Sequence, residues 1–104
     1  MTSTDASDRP APRFSLRAPA SYRGEAFEGV GEVQNISSSG MLIERCSAPA
    51  REGLTLWLRA SYFPGSTEIA IESQVVRTTG SGFAVRFVNL TPRVAQLIGH
   101  ILPS

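Results

Sequence analysis

Residues 54–60 read LTLWLRA, and the order of apolar and polar side chains along them decides the class of fold. Leu54, Leu56 and Leu58 share one face of an extended chain. Thr55, Trp57 and Arg59 share the other, which is the period of a half-buried strand. Downstream, YFPGST (62–67) carries a Pro-Gly turn signal. TEIAIESQVVR (67–77) then continues with Ile69, Ile71 and Val75 on one face. After the turn TTGSG (78–82), FAVRFV (83–88) places Phe83, Val85 and Phe87 together. Upstream, GMLIERC (40–46) reads as another strand, and SYRGEAFEGVGEVQNI (21–36) as two short strands joined near Gly24–Gly31. β-Structure is therefore expected from about residue 20 onward, as five to seven strands with turns between them. Such a run points to an antiparallel barrel or sandwich and away from βαβ units.

The period changes after the last strand. NLTPRVAQLIGHIL (89–102) offers Thr91 as N-cap and Pro92 as first helical residue, and Val94, Leu97, Ile98, Ile101 and Leu102 fall on one stripe. A helix at about 92–102, laid against an open side of the β-structure, buries that stripe. At the other end, residues 1–12 are rich in Ser, Thr, Asp, Pro and Ala with no apolar period, and read as a flexible tail. Residues 13–104 then make up one domain.

Composition closes several routes. One cysteine and one histidine permit no internal disulfide and no ordinary zinc site, and make a Cys/His nucleophilic pair improbable. The seven glutamates are scattered through alternating strands as outward positions, and no phosphate-binding glycine loop appears, so no enzyme is expected. No cofactor or metal is expected either. There is no apolar run of membrane-span length and no signal-peptide pattern, which predicts a cytoplasmic protein without membrane insertion. The net charge of +1 argues against bulk DNA or RNA binding. All ten basic residues are arginine, and four of them (Arg9, Arg13, Arg17 and Arg23) stand in the first 23 residues.

Two stretches do not look like plain scaffold. RPAPRFSLR spaces Arg9, Arg13 and Arg17 by four residues, with Pro10, Pro12 and Pro19 opposing helix. In extended backbone, residues four apart point the same way at most roughly 13 Å apart, so two guanidinium forks can close on a compact anion. An arginine fork pairs with phosphate, with the O6/N7 edge of guanine, and stacks on a base. The other stretch is NISSSG (35–40), six small or polar residues interrupting a strand pattern. Asn35 carries donors and an acceptor, Ser37 and Ser38 offer hydroxyls, and Gly40 permits close backbone approach or a positive φ. The same residues also suit an Asx/Ser turn at a strand break.

The two stretches together, RxxxR followed some twenty residues later by (D/N)xSxxG, resemble the PilZ domain family. Arg13 and Arg17 match the first motif, and Asn35, Ser37 and Gly40 the second. The likeness continues through GMLIE, the Gly53–Leu58 strand, VVR, GFAVRF and the closing helix, over about residues 13–102. The resemblance implies an all-β fold with a C-terminal helix, a six-stranded antiparallel β-barrel of split-barrel type. It further implies a bacterial receptor for cyclic di-GMP, a second messenger tied to motility and biofilm. Arg13 and Arg17 are then expected to clamp guanine and phosphates, Asn35 and Ser37 to bond a guanine edge or phosphate, and Gly40 to keep the turn open. Arg9, Ser38 and Arg77 are candidate additional contacts. The arginine segment would close over the nucleotide and signal to an unidentified partner protein. One alternative is a PilZ-like adaptor of pilus or motility machinery that binds protein without nucleotide. Another is a small barrel for single-stranded nucleic acid, disfavoured because Phe83 and Phe87 read as core.

Overall fold

The computed structural model describes residues 14–63 and 67–101. Six strands and one helix follow in chain order: β1 Phe14–Arg23, β2 Glu28–Ile36, β3 Gly40–Glu44, β4 Thr55–Phe63, β5 Thr67–Thr78, β6 Phe83–Asn89 and α1 Pro92–Ile101. All neighbours are antiparallel, and the order β1-β2-β3-β6-β5-β4 closes into a barrel through β1–β4 pairs such as Ala20 with Ala60. The alternation in β4 does what its pattern dictates: Leu56 and Leu58 are buried and Trp57 stands half exposed. Ile69, Ile71 and Val75 of β5, with Phe83 and Val85 of β6, fill the interior from the facing wall.

β1 departs from the sequence reading. It begins at Phe14, not near residue 20, so FSLR belongs to the first strand instead of preceding it. Its inward residues Ala18, Ala20 and Tyr22 are mostly small and carry a faint pattern, and the strand is held by pairing to β2 along its length and to β4 from Ala20. The first join is also shorter than expected. The turn occupies residues 24–27, closed by the Gly24 amide donating to the Phe27 carbonyl at 2.8 Å, and Gly29 and Gly31 lie within β2. Gly29 sits under the Tyr22 ring, where a Cβ would come within 2.6 Å of the ring. Tyr22 crosses the interior edge-on to Phe83, with ring centroids 5.0 Å apart.

α1 starts where Thr91 and Pro92 place it. The Thr91 hydroxyl accepts from the Val94 amide at 3.3 Å, the ordinary N-cap bond. Ile98 joins the barrel core, with Val94 and Leu97 packed against it. The remainder of the predicted stripe (Leu102), the Pro64-Gly65 turn and the tail 1–12 lie outside the described residues.

Candidate functional site

Pairing between β1 and β2 brings residues 14–17 of the first unusual stretch and the start of the second to one end of the barrel. Phe14 stands opposite Ile36 and Ser15 opposite Asn35, then a bulge shifts the register so that Ala18 meets Val33. Arg17 falls in this bulge. Its exposed guanidinium reaches back along β2 to Glu32, Nη2 to Oε1 3.5 Å. Asn35 is half-buried and in register with Leu42 of β3 on its other side. Arg9 and Arg13 lie outside the described residues, Arg13 immediately preceding Phe14 in the chain.

The interruption NISSSG is a compact turn built around one hydroxyl. Ser37 is buried, and its amide donates to the Gly40 carbonyl at 2.8 Å. Its Oγ accepts from the amides of Ser39 and Gly40, both at 3.2 Å, and lies 3.3 Å from the Ser39 hydroxyl. Ser37 therefore organises the turn, while Ser38 and Ser39 face solvent. The turn is fastened to the neighbouring strand β6 by the Phe87 amide, which donates to the Ser39 carbonyl at 2.8 Å. Gly40 is needed for close approach and not for a positive φ: a Cβ there would lie 2.2 Å from the Val85 carbonyl oxygen.

Two residues not singled out in the sequence belong to this end. Arg86 of β6 stands opposite Gly40, and its Nε and Nη2 donate to Gln74 Oε1 at 3.2 and 2.9 Å. Glu32 accepts from Gln34 Nε2 at 2.9 Å and lies within ion-pair distance of both Arg17 and Arg45. Neither is marked by local spacing; strand register places Arg86 beside the turn, and β1–β2 pairing brings Glu32 to Arg17. Arg77 is exposed on β5 in the row Arg77–Ala84–Leu42–Asn35. Three strand spacings, about 14 Å, separate it from Asn35.

Chemically, this surface offers guanidinium forks, amides and a hydroxyl-braced turn, a set for binding an anion with a polar ring edge. Among the described residues no cluster of three or more His, Cys, Asp or Glu is positioned to hold a metal ion. No described helix is long and apolar enough to cross a membrane. An open cleft of about 450 Å³ lies elsewhere, at the far end of β1, among Ser21, Arg23, Glu28, Val30, Trp57 and Arg59. It shares no residue with the arginine and serine motifs.

Comparison with known proteins agrees with this architecture. The family model described as PilZ domain matches residues 7–102. No curated protein matches the sequence. Among solved structures, the PilZ domain of CeSA from a cellulose-synthesizing bacterium superposes with a TM-score of 0.70 at 10% identity, covering 86% of this chain and 96% of that one. The Bacillus subtilis inhibitor of motility, MotI/DgrA, gives 0.75 at 14% identity over 89% of this chain and 48% of its own. YcgR of Escherichia coli, in complex with c-di-GMP, gives 0.70 at 17% identity over 89% and 43%. The chain thus spans less than half the length of these last two, and at such identities the likeness is one of fold.

Proposed function

The chain belongs to the PilZ domain family, a family of receptor and adaptor domains, and from that premise we propose that it is a cytoplasmic receptor for cyclic di-GMP that signals to a partner protein. The observation that carries the reading is the β1–β2 register. Ser15 opposite Asn35 supports bringing Arg17's end of β1 and the serine turn to one ligand, although about twenty residues separate them in sequence. Arg17 is assigned to a phosphate or guanine face from β1, and Arg13, the other arginine of the motif, to the same ligand. Asn35 reads a guanine edge, its amide both donating and accepting without adding charge. Ser37 acts through the turn it braces, while Ser38 and Arg9 are outer contacts. Arg77 contributes only if the ligand extends across β3 and β6. Several charge-assisted bonds would hold the nucleotide against this surface. The surface so formed is what the partner reads.

Isothermal titration with cyclic di-GMP, GMP and short oligonucleotides tests the reading. Saturable binding of cyclic di-GMP alone is expected. Arg17→Ala should weaken it by at least about tenfold, the loss of one or two charged hydrogen bonds, with little change in melting temperature because the side chain is exposed. Asn35→Ala should also weaken binding while leaving the fold intact. Full affinity in the Arg17 variant would count against the assignment. A second reading, an adaptor that binds protein without nucleotide, has one observation in its favour: Trp57 and Val30 stand exposed beside the 450 Å³ cleft. A chain indifferent to cyclic di-GMP at millimolar concentration would leave that reading in possession.

A further inference from the structure

One carboxylate oxygen gathers three donors beside the proposed site. Glu32 Oε1 accepts from Gln34 Nε2 at 2.9 Å, and Arg17 Nη2 and Arg45 Nε stand 3.5 and 3.8 Å from it. Glu32 is three residues upstream of Asn35 on the same strand. The carboxylate directly opposite it in the sheet, Glu44, is taken by other partners. Glu44 is engaged by the Thr79 hydroxyl at 3.3 and 3.2 Å and by the Ser81 hydroxyl of the β5–β6 turn. Glu32 is thus the anion that Arg17 meets before any ligand arrives.

We propose that Glu32 is an affinity-setting residue, an internal competitor that holds Arg17 until a more strongly anionic group displaces it. The inference rests on the receptor reading above and adds a residue to it. The Arg17–Glu32 pair is open to solvent on the arginine side, where an ion pair is worth no more than about fivefold in an equilibrium constant. A phosphate that takes the guanidinium fork with two parallel bonds outcompetes it. When Arg17 leaves, Glu32 keeps Gln34 and Arg45, so no carboxylate is stranded. Its charge also stays on β2 three residues from Asn35, a repulsion towards the arriving dianion that water weakens without removing. Both effects act in one direction: the carboxylate raises the ligand concentration at which Arg17 changes partner.

The experiment is calorimetric titration of cyclic di-GMP into the wild-type protein and Glu32→Gln, at low salt and at about 0.5 M salt, where charges more than a few ångströms apart are screened. Glutamine keeps the shape and an acceptor oxygen and removes the charge, and it relieves the like-charged pair with Glu44, so folding is preserved; a thermal melt verifies this. Affinity about three- to fivefold tighter in the variant is expected at low salt, with the ratio shrinking towards one at high salt. Equal affinities at low salt overturn the competitor role and leave the receptor reading standing. Weaker binding by Glu32→Gln overturns it too, and makes the carboxylate a direct ligand contact. A tightening that does not change with salt assigns the effect to repacking and rejects the electrostatic role. If neither protein binds cyclic di-GMP, the receptor reading falls and this inference falls with it.

Discussion

The Ser37 hydroxyl accepts from two backbone amides of its own turn, and Gly40 lies flat against the Val85 carbonyl, so both residues act on the backbone. Their substitutions should separate by size of effect. Ser37→Ala loses a hydroxyl that satisfies buried amides and should cost about 1–2 kcal/mol. Gly40→Ala drives a methyl into backbone at 2.2 Å, which no side-chain rotation can relieve. It should cost more than Ser37→Ala, about 3 kcal/mol on the scale of severe core strain. Urea unfolding measures both, and a Gly40→Ala protein as stable as wild type would contradict the contact. At this scale the sequence was half legible. NISSSG announced a turn, and glycine announced either a positive φ or a close approach, but the choice between them is made by β6, more than forty residues away. Arg86 and Glu32 were missed for the same reason: an arginine in FAVRFV or a glutamate in GEVQN looks like any outward strand charge until its cross-strand neighbour is known.

Among the elements, β4 and α1 were the clearest in the sequence because their signals are local. Leucine alternates with polar residues in β4, and Thr91-Pro92 marks the helix start with a cap that forms as expected. β1 was the least clear. Alanines at two inward positions give little hydrophobic contrast, Pro19 interrupts the pattern, and the pairing partners that hold the strand extended are distant in sequence. In α1, adjacent residues should respond to alanine with opposite sign. Ile98 is fully buried in the barrel core, so Ile98→Ala should destabilise by about 2–4 kcal/mol. Gly99 is exposed, and a Cβ there meets nothing within 4 Å, so Gly99→Ala should stabilise by about 0.5–1 kcal/mol through helix propensity and reduced unfolded-state freedom. Denaturant midpoints of the two variants check the pair. Equal shifts in the same direction would mean that the helix contributes to stability in some way other than docking Ile98.

For the whole molecule, local alternation could not choose between barrel and sandwich; closure depends on β1–β4 and β3–β6 pairs that join distant segments. Tyr22 ties this closure together. Its ring lies edge-on to Phe83 of β6, and its hydroxyl donates to the Ala48 carbonyl and accepts from the Ala48 amide at 3.1 Å, in the β3–β4 connection. Burial raises the Tyr22 phenol above its ordinary value near 10, and burial likewise raises the Cys46 thiol. Both groups are neutral in the fold and ionise more readily once unfolded. The unfolded chain therefore releases protons first as pH rises, and stability falls with increasing pH. The contribution is fully present below the unfolded value of each group, and is lost as pH climbs through its raised folded value. The sequence makes the experiment unusually clean. With no lysine in the chain, cysteine and tyrosine are the side-chain types whose ordinary values lie between about 8.5 and 10. Melting temperature should hold level from about pH 7 to 8.5 and then decline, the Cys46 contribution first and the Tyr22 contribution from about pH 10 upward. Cys46→Ala should remove the early part of the decline. Tyr22→Phe should lower stability at neutral pH by about 1 kcal/mol through the lost Ala48 bonds, yet flatten the curve above pH 10. An undiminished alkaline slope in Tyr22→Phe would show that the barrel's closure does not depend on keeping this phenol neutral.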